Sequence, residues 1–330
     1  MVTQKELKAF YETDLKPKLL FFEEQRLLFI SKRKVLWIIG AILAILAILL
    51  IVFLNLEYRY FDKIESKFGV SFFGLHDFYR LGTKLIVFFG IISYMITFSI
   101  AIAYSYTKMK SAYRNHFKTT VVGSLVTFID ENLSYTPKDD FTVKELLFKQ
   151  EFNNSNLFTQ PNRWSGEDYV GGILGGTSLN FSEIHVVRVN EYDIFKGLFF
   201  VFNVNWDFEG FTTIVYEDHW DYFLKKHFSL AKKESKFKVY SDNPTIAKYV
   251  FSTAFMDRLL ALHYQLKVPI ELSFVNGKLY MAISIEEDLF EPPISSTVLD
   301  FQLIQTIFAY IQLGQEIVEE LIVLMKQPKE

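Results

Sequence analysis

Four residues near the middle of the chain are of the types that carry protons or hold cations. Glu183 and His185 stand two apart in the run SLNFSEIHVVRVN, and Glu167-Asp168 come shortly before them. Alternate residues of a strand point to one face. Glu183 and His185 therefore share a face, and with Glu167 or Asp168 beside them they could make an acid–base or metal site. A solvated strand face would carry the same spacing. A second polar run, Glu217-Asp218-His219 followed by Asp221, could attract a divalent cation. At a strand-to-helix junction those residues would instead cap the next helix and complement its positive end.

Gly171-Gly172 and Gly175-Gly176-Thr177 invite a phosphate-loop reading. No Lys-Ser/Thr pair follows to hold phosphate and magnesium, and β-rich sequence follows where a Rossmann turn would open a helix. The glycines are read as sharp turns between strands. There are no cysteines, so thiolate ligands, cysteine nucleophiles and disulfides are excluded. Neither a G-x-S-x-G elbow nor an HExxH motif occurs. The catalytic candidates are thus Glu183, His185, Glu167 and Asp168, with no cofactor and no metal expected.

The elements that must position them divide into two kinds. Val35–Leu56 and Leu85–Tyr106 are 22-residue runs without a charged side chain. At about 1.5 Å per residue, each spans a hydrocarbon core of about 30 Å. They are expected to be two transmembrane helices. Ten Lys and Arg residues flank the pair on the outer sides, from Lys16 to Lys34 and from Lys108 to Lys118, against five between the spans. That asymmetry predicts both termini in the cytoplasm, with the flanking basic residues anchoring to anionic lipid. Residues 107–330 carry 22 basic and 29 acidic groups, about −7, which argues against nucleic acid as a partner.

Six segments follow: 1–34 an amphipathic cytoplasmic helix, 35–56 the first span, 57–84 an external loop, 85–106 the second span, 107–160 a helical connector, and 161–330 a cytoplasmic domain. The first helix opens with the capping-box pair Thr3 and Glu6, and Leu7, Phe10, Tyr11, Leu15 and Leu19 trace its apolar face. Pro17 interrupts or kinks it. Its apolar face suits either the membrane surface or the soluble domain. Ser93, Thr97, Ala101 and Ser105 make a small-residue ridge on the second span, as Gly40 and Ala44 do on the first, expected to pack the hairpin against itself.

Beyond Pro161 the texture turns to short β-rich runs, including IFKGLFFVFNVN and GFTTIVY. Helical periodicity returns over 244–267. IELSFV, Asn276-Gly277 and KLYMAISI form a type I′ hairpin. A final helix over about 296–325 carries an apolar seam from Phe301 through Ile304, Phe308 and Ile311 to Met325, with Ile307, Leu313 and Leu321 widening it, which predicts docking on the chain's own sheet. The fold class is α+β: a two-helix transmembrane hairpin and a cytoplasmic domain with a mainly antiparallel sheet and flanking helices.

The motif string has a family counterpart. Trp164-Ser165-Gly166-Glu167-Asp168, Gly175-Gly176-Thr177, Phe181-Ser182-Glu183, Phe195 to Phe200, Val239-Tyr240-Ser241-Asp242, the Leu272–Ile283 hairpin and Leu289-Phe290-Glu291-Pro292 resemble a bacterial membrane-anchored family known as domain of unknown function 3137. Phe10-Tyr11, Leu15-Lys16-Pro17 and Glu24-Gln25-Arg26 resemble its leading helix. Asn203-Val204-Asn205-Trp206 stands where that pattern would have an aspartate-containing loop. The resemblance implies a multi-pass protein of the cell inner membrane with a cytoplasmic α+β domain, and it supplies no reaction. The expected role is a membrane-tethered interaction or scaffold module. It would sit in the lipid bilayer and bind a protein or small ligand at the cytoplasmic face, alone or as a homo-oligomer. An enzyme of unfamiliar type using Glu167, Asp168, Glu183 and His185 is the alternative, and an oligomeric channel or transporter component the third.

Overall fold

The computed structural model describes residues 2–68, 75–137, 142–158, 163–187, 193–204, 210–216, 230–234, 236–242, 247 and 253–326. The chain forms two compact units, one of Met1–Leu20 with Asn115–Glu330 and one of Phe21–Arg114. The polar run at 217–221, Asn205-Trp206 and the seam's side chains at Leu321, Ile322 and Met325 lie outside the described residues.

The smaller unit lies within two long helices, α2 (Lys16–Phe68) and α3 (Leu75–Phe117), which contain both uncharged runs and extend past them into residues 57–84. Their best 18-residue windows reach mean hydropathies of 3.2 and 2.4, so both are long and apolar enough to cross a membrane. Phe29 packs on Tyr106 with ring centroids 4.6 Å apart. The small ridges divide. Gly40 and Ala44 lie on the more covered face of α2, but Ser93, Thr97, Ala101 and Ser105 lie on an exposed face of α3, where Ile91, Met95, Phe98 and Ile102 are the better covered residues. The ridge on α3 therefore does not pack the hairpin. Thr97 and Ser105 hydroxyls donate to the carbonyls of Ser93 and Ala101, so their polarity is satisfied within the helix.

The larger unit is built on one sheet of nine antiparallel strands in the order β1-β2-β3-β4-β9-β8-β5-β7-β6. The strands are β1 (Leu133–Thr136), β2 (Arg163–Leu174), β3 (Thr177–Val187), β4 (Asp193–Asn203), β5 (Phe211–Tyr216), β6 (Leu230–Glu234), β7 (Phe237–Ser241), β8 (Ile270–Val275) and β9 (Lys278–Ser284). Strand β1 thus stands within the 107–160 connector. The β8–β9 turn has positive φ at Asn276 (48°) and Gly277 (76°), as a type I′ connection requires. Gly175 (φ 54°) and Gly176 (φ 86°) make the equivalent turn from β2 to β3, the sharp turn read from the sequence.

One sheet face carries Ile184, Val186, Phe195, Phe199 and Tyr280 against Phe148 and Phe152 of α5 (Thr142–Asn154). The opposite face carries Leu179, Phe181 and Phe200, over which Gly314 of α7 (Phe301–Lys326) passes. Ile304, Ile307, Phe308 and Ile311 of α7 are all at most 1% exposed, which accounts for the seam. Their burial is worth roughly 6–12 kcal/mol before the entropy of ordering is subtracted. Among the described residues this unit also has the helices α1 (Gln4–Phe10), α4 (Gly123–Ile129) and α6 (Thr253–Leu266).

The leading helix resolves the choice the sequence left open. The capping box at Thr3 and Glu6 is formed. Leu7, Tyr11, Leu15 and Leu19 are buried. Phe10 stacks on Phe128 of α4 at 4.0 Å, and the Tyr11 hydroxyl donates to the Leu299 carbonyl at 2.6 Å. This segment belongs to the folded domain. Pro17 does not break it; a wide π turn, Tyr11–Leu15, precedes the proline and absorbs the displacement that its ring imposes on the preceding turn.

Candidate functional site

The cross-strand register puts the candidate residues together. Ser165 lies opposite His185, Glu167 opposite Glu183, and His185 opposite Lys196, so all of them share one face of β2, β3 and β4. Alternation alone would send Asp168 to the other side. A β-bulge intervenes between Glu167 and Val170, and Asp168 adopts φ 58°, a conformation that aspartate tolerates better than most residues. The bulge turns two consecutive carboxylates toward one cation.

That cation is Lys118, from a second π turn (Lys118–Val122) that ends α3. Its Nζ lies 2.6 Å from Asp168 Oδ2, 3.1 Å from Glu167 Oε2 and 3.4 Å from Glu291 Oε1. Lys118 was expected among the lipid anchors; the structure instead buries it at 2% exposure and surrounds it with carboxylates. Burial alone would lower its pKa, but the charges of Asp168 and Glu167 outweigh that and hold it above the ordinary value. Asp168 is 1% exposed and also accepts a hydrogen bond from the Tyr135 hydroxyl of β1. Burial raises Asp168 to about 6 against the opposing pull of Lys118 and Tyr135. Burial, with the Asp168 charge added, pushes the Tyr135 hydroxyl up as well.

Glu183 is the exception in this set. It is 5% exposed, so the solvated strand face is overturned here, and its Oε2 accepts a hydrogen bond from Leu289 N–H at 3.3 Å. Burial first, then the neighbouring charges of Asp168 and Glu167, lift its carboxyl to about 8. It lines a cleft of about 160 Å³ together with Ser165, Glu167, His185, Lys196 and Asp288. His185 stands at the rim, with Nε2 2.7 Å from Asp193 Oδ1. Lys196 is engaged by Asp288 at 3.1 Å and donates to the Glu286 carbonyl.

Glu183, with a pKa near neutrality, could exchange protons or pair with a cation. Nucleophilic catalysis is poorly served: Ser165 Oγ donates to the His185 backbone carbonyl at 3.4 Å, while the imidazole Nε2 faces Asp193. Among the described residues no three His, Asp or Glu side chains converge as metal ligands would. The sequence reading found Glu167, Asp168, Glu183 and His185 but missed Lys118, Tyr135, Lys196, Asp288 and Glu291, which come from distant segments. The glycine before the bulge, in Trp164-Ser165-Gly166-Glu167-Asp168, was the available hint that two adjacent acids could share a face.

No curated protein and no solved structure matches the chain. Residues 193–322, which contain Lys196, Asp288, Leu289 and Glu291, match the model of the family described as protein of unknown function (DUF3137), the family that the motif string resembles.

Proposed function

We propose that this chain is a membrane-tethered interaction module that binds a small polar ligand in the cleft beside Glu183. Two helices long and apolar enough to cross a membrane anchor it. The basic asymmetry of the flanks favours both termini in the cytoplasm, and without the buried Lys118 the count is still nine against five; a bacterial inner membrane is what the family resemblance implies. The observation that carries the reading is Glu183: a carboxyl 5% exposed that nonetheless lines an open polar cleft. A buried polar group without full hydrogen bonding is costly unless it serves a purpose.

Binding is favoured over catalysis because Ser165 and the His185 ring, the nearest nucleophile and base, are turned to other partners. A conducting role has little support, since neither uncharged run contains an Asp, Glu, Lys, Arg or His to serve a proton or ion. The test is a thermal-shift screen of the full chain in mild detergent against small cations, small anions and neutral polyols. At least one class should raise the melting temperature of the natural protein and not that of Glu183→Gln. No shift from any class would overturn the reading.

A further inference from the structure

We propose that the cleft beside Glu183 takes a small organic cation, whose ammonium or guanidinium head sits against the Glu183 carboxylate and the Glu167 and Asp288 side of the wall. This rests on the ligand-binding reading above and names the class of ligand.

The charges around the cleft do not balance. Lys118 faces Glu167, Asp168 and Glu291, and Glu183 stands directly opposite Glu167 across the strands. Asp288 is answered by Lys196, and the His185 ring by Asp193. Tyr135, from β1, donates a hydrogen bond to Asp168 and adds no positive charge. Lys118 and Lys196 are thus each engaged by other carboxylates, and among the described residues no cation pairs with Glu183. Like charges opposed across a ladder are destabilising, and a buried carboxylate without a partner takes up a proton instead. The upward shift of the Glu183 carboxyl, driven first by burial and then by Asp168 and Glu167, runs in that direction. A cation entering the cleft would take that proton's place.

The remaining features select the kind of cation. A bare metal ion would need several converging ligands, and calcium or magnesium six or more oxygens; no such convergence exists among the described residues. The cleft's volume of about 160 Å³ corresponds to the liquid share of about five water molecules, room for a head group with a few attached carbons. Three carboxylates in its lining, Glu167, Glu183 and Asp288, against the one lysine Lys196, disfavour an anion. The Leu289 N–H already occupies one Glu183 oxygen and leaves the other for the ligand. Binding must release a proton near neutral pH, because Glu183 gives up its own to accept the cation.

The experiment is isothermal titration of the full chain in detergent micelles at pH 7 with ethylammonium and with guanidinium, repeated in two buffers of different ionisation enthalpy. Sodium chloride at equal ionic strength serves as the control. Saturable binding with release of most of one proton per site is expected, weakened at least tenfold in Glu183→Gln and more modestly in Asp288→Asn, a rim substitution that leaves the buried set intact. Sodium chloride should give no saturable heat. Binding that survives Glu183→Gln, or that releases no proton, would overturn the proposal. Binding of acetate or inorganic phosphate instead, lost in Lys196→Met, would overturn the cation class while leaving the ligand-binding reading in place. Silence from every probe here and in the thermal screen would remove both.

Discussion

Replacing Glu183 by glutamine should make the protein more stable, and increasingly so as the pH rises. Burial and the charges of Asp168 and Glu167 lift this carboxyl from an ordinary 4.5 to about 8. Between those values the folded chain keeps a proton that the unfolded chain has lost, so the natural protein loses stability as the pH increases through the interval. One proton gives a slope of about 1.4 kcal/mol per pH unit, so the whole interval carries on the order of 5 kcal/mol as a ceiling. Glutamine is neutral throughout and still accepts from Leu289 N–H. The variant's advantage should be near zero at pH 4.5, grow to a few kcal/mol by pH 8, and level off above it. Asp168, raised to about 6, acts in the same direction at lower pH, but it is present in both proteins and largely cancels. Thermal unfolding of the full chain in mild detergent, followed by near-ultraviolet circular dichroism, would report it at roughly 2–4 °C per kcal/mol. A difference in melting temperature that does not change between pH 5 and pH 8, or one that shrinks, would refute the reasoning.

Lys118→Met should have the opposite effect: at pH 8 it strands Asp168 and should cost about 3–5 kcal/mol, with a smaller loss at pH 5, where Asp168 takes a proton; melting temperatures at the two pH values check both parts. Gly197→Ala should be severe, because its β-carbon would lie 2.0 Å from the Ile283 carbonyl oxygen at φ 145°, whereas Gly176→Ala meets no atom within 4 Å and should lose only about 1–2 kcal/mol from its positive φ. Ranking the two variants by melting temperature decides it. Ile311→Asp buries a carboxylate under α7 and should abolish cooperative unfolding; a well-folded monomer by sedimentation and circular dichroism would refute the docking. A cysteine at Ser66 of this thiol-free chain should react with an impermeant maleimide in intact cells, and one at Gln150 should not; the reverse pattern would overturn the cytoplasmic placement.

What could be read in the sequence was local. Asn276-Gly277 and Gly175-Gly176 announce their turns because a positive φ is a demand on one residue, met by a short list of side chains. Thr3 and Glu6 announce a helix start because both halves of the capping box lie within four residues. The two uncharged runs need only length and composition. Lys118 carries no such signal. It reads as one more basic residue after a span, and its partners lie 49, 50 and 173 positions away. The leading helix failed in the same manner: its apolar face fits a lipid surface as well as it fits Phe128 and Leu299, and amphipathicity does not record which surface covers it.

The division of work within the site follows from which carboxylates Lys118 reaches. A buried lysine with three carboxylates within 3.4 Å is a structural tie, joining the end of α3 to β2 and to the segment after β9, and its removal is answered by the fold. Glu183 sits one strand away on the same face, where burial and the charges of Asp168 and Glu167 outweigh the pull of Lys118. Its cheapest state in the absence of a ligand is protonated, which is why its replacement should stabilise the domain while Lys118's should not. A residue whose removal strengthens the fold is held there by something other than folding. The cleft that it lines is where that requirement is to be sought.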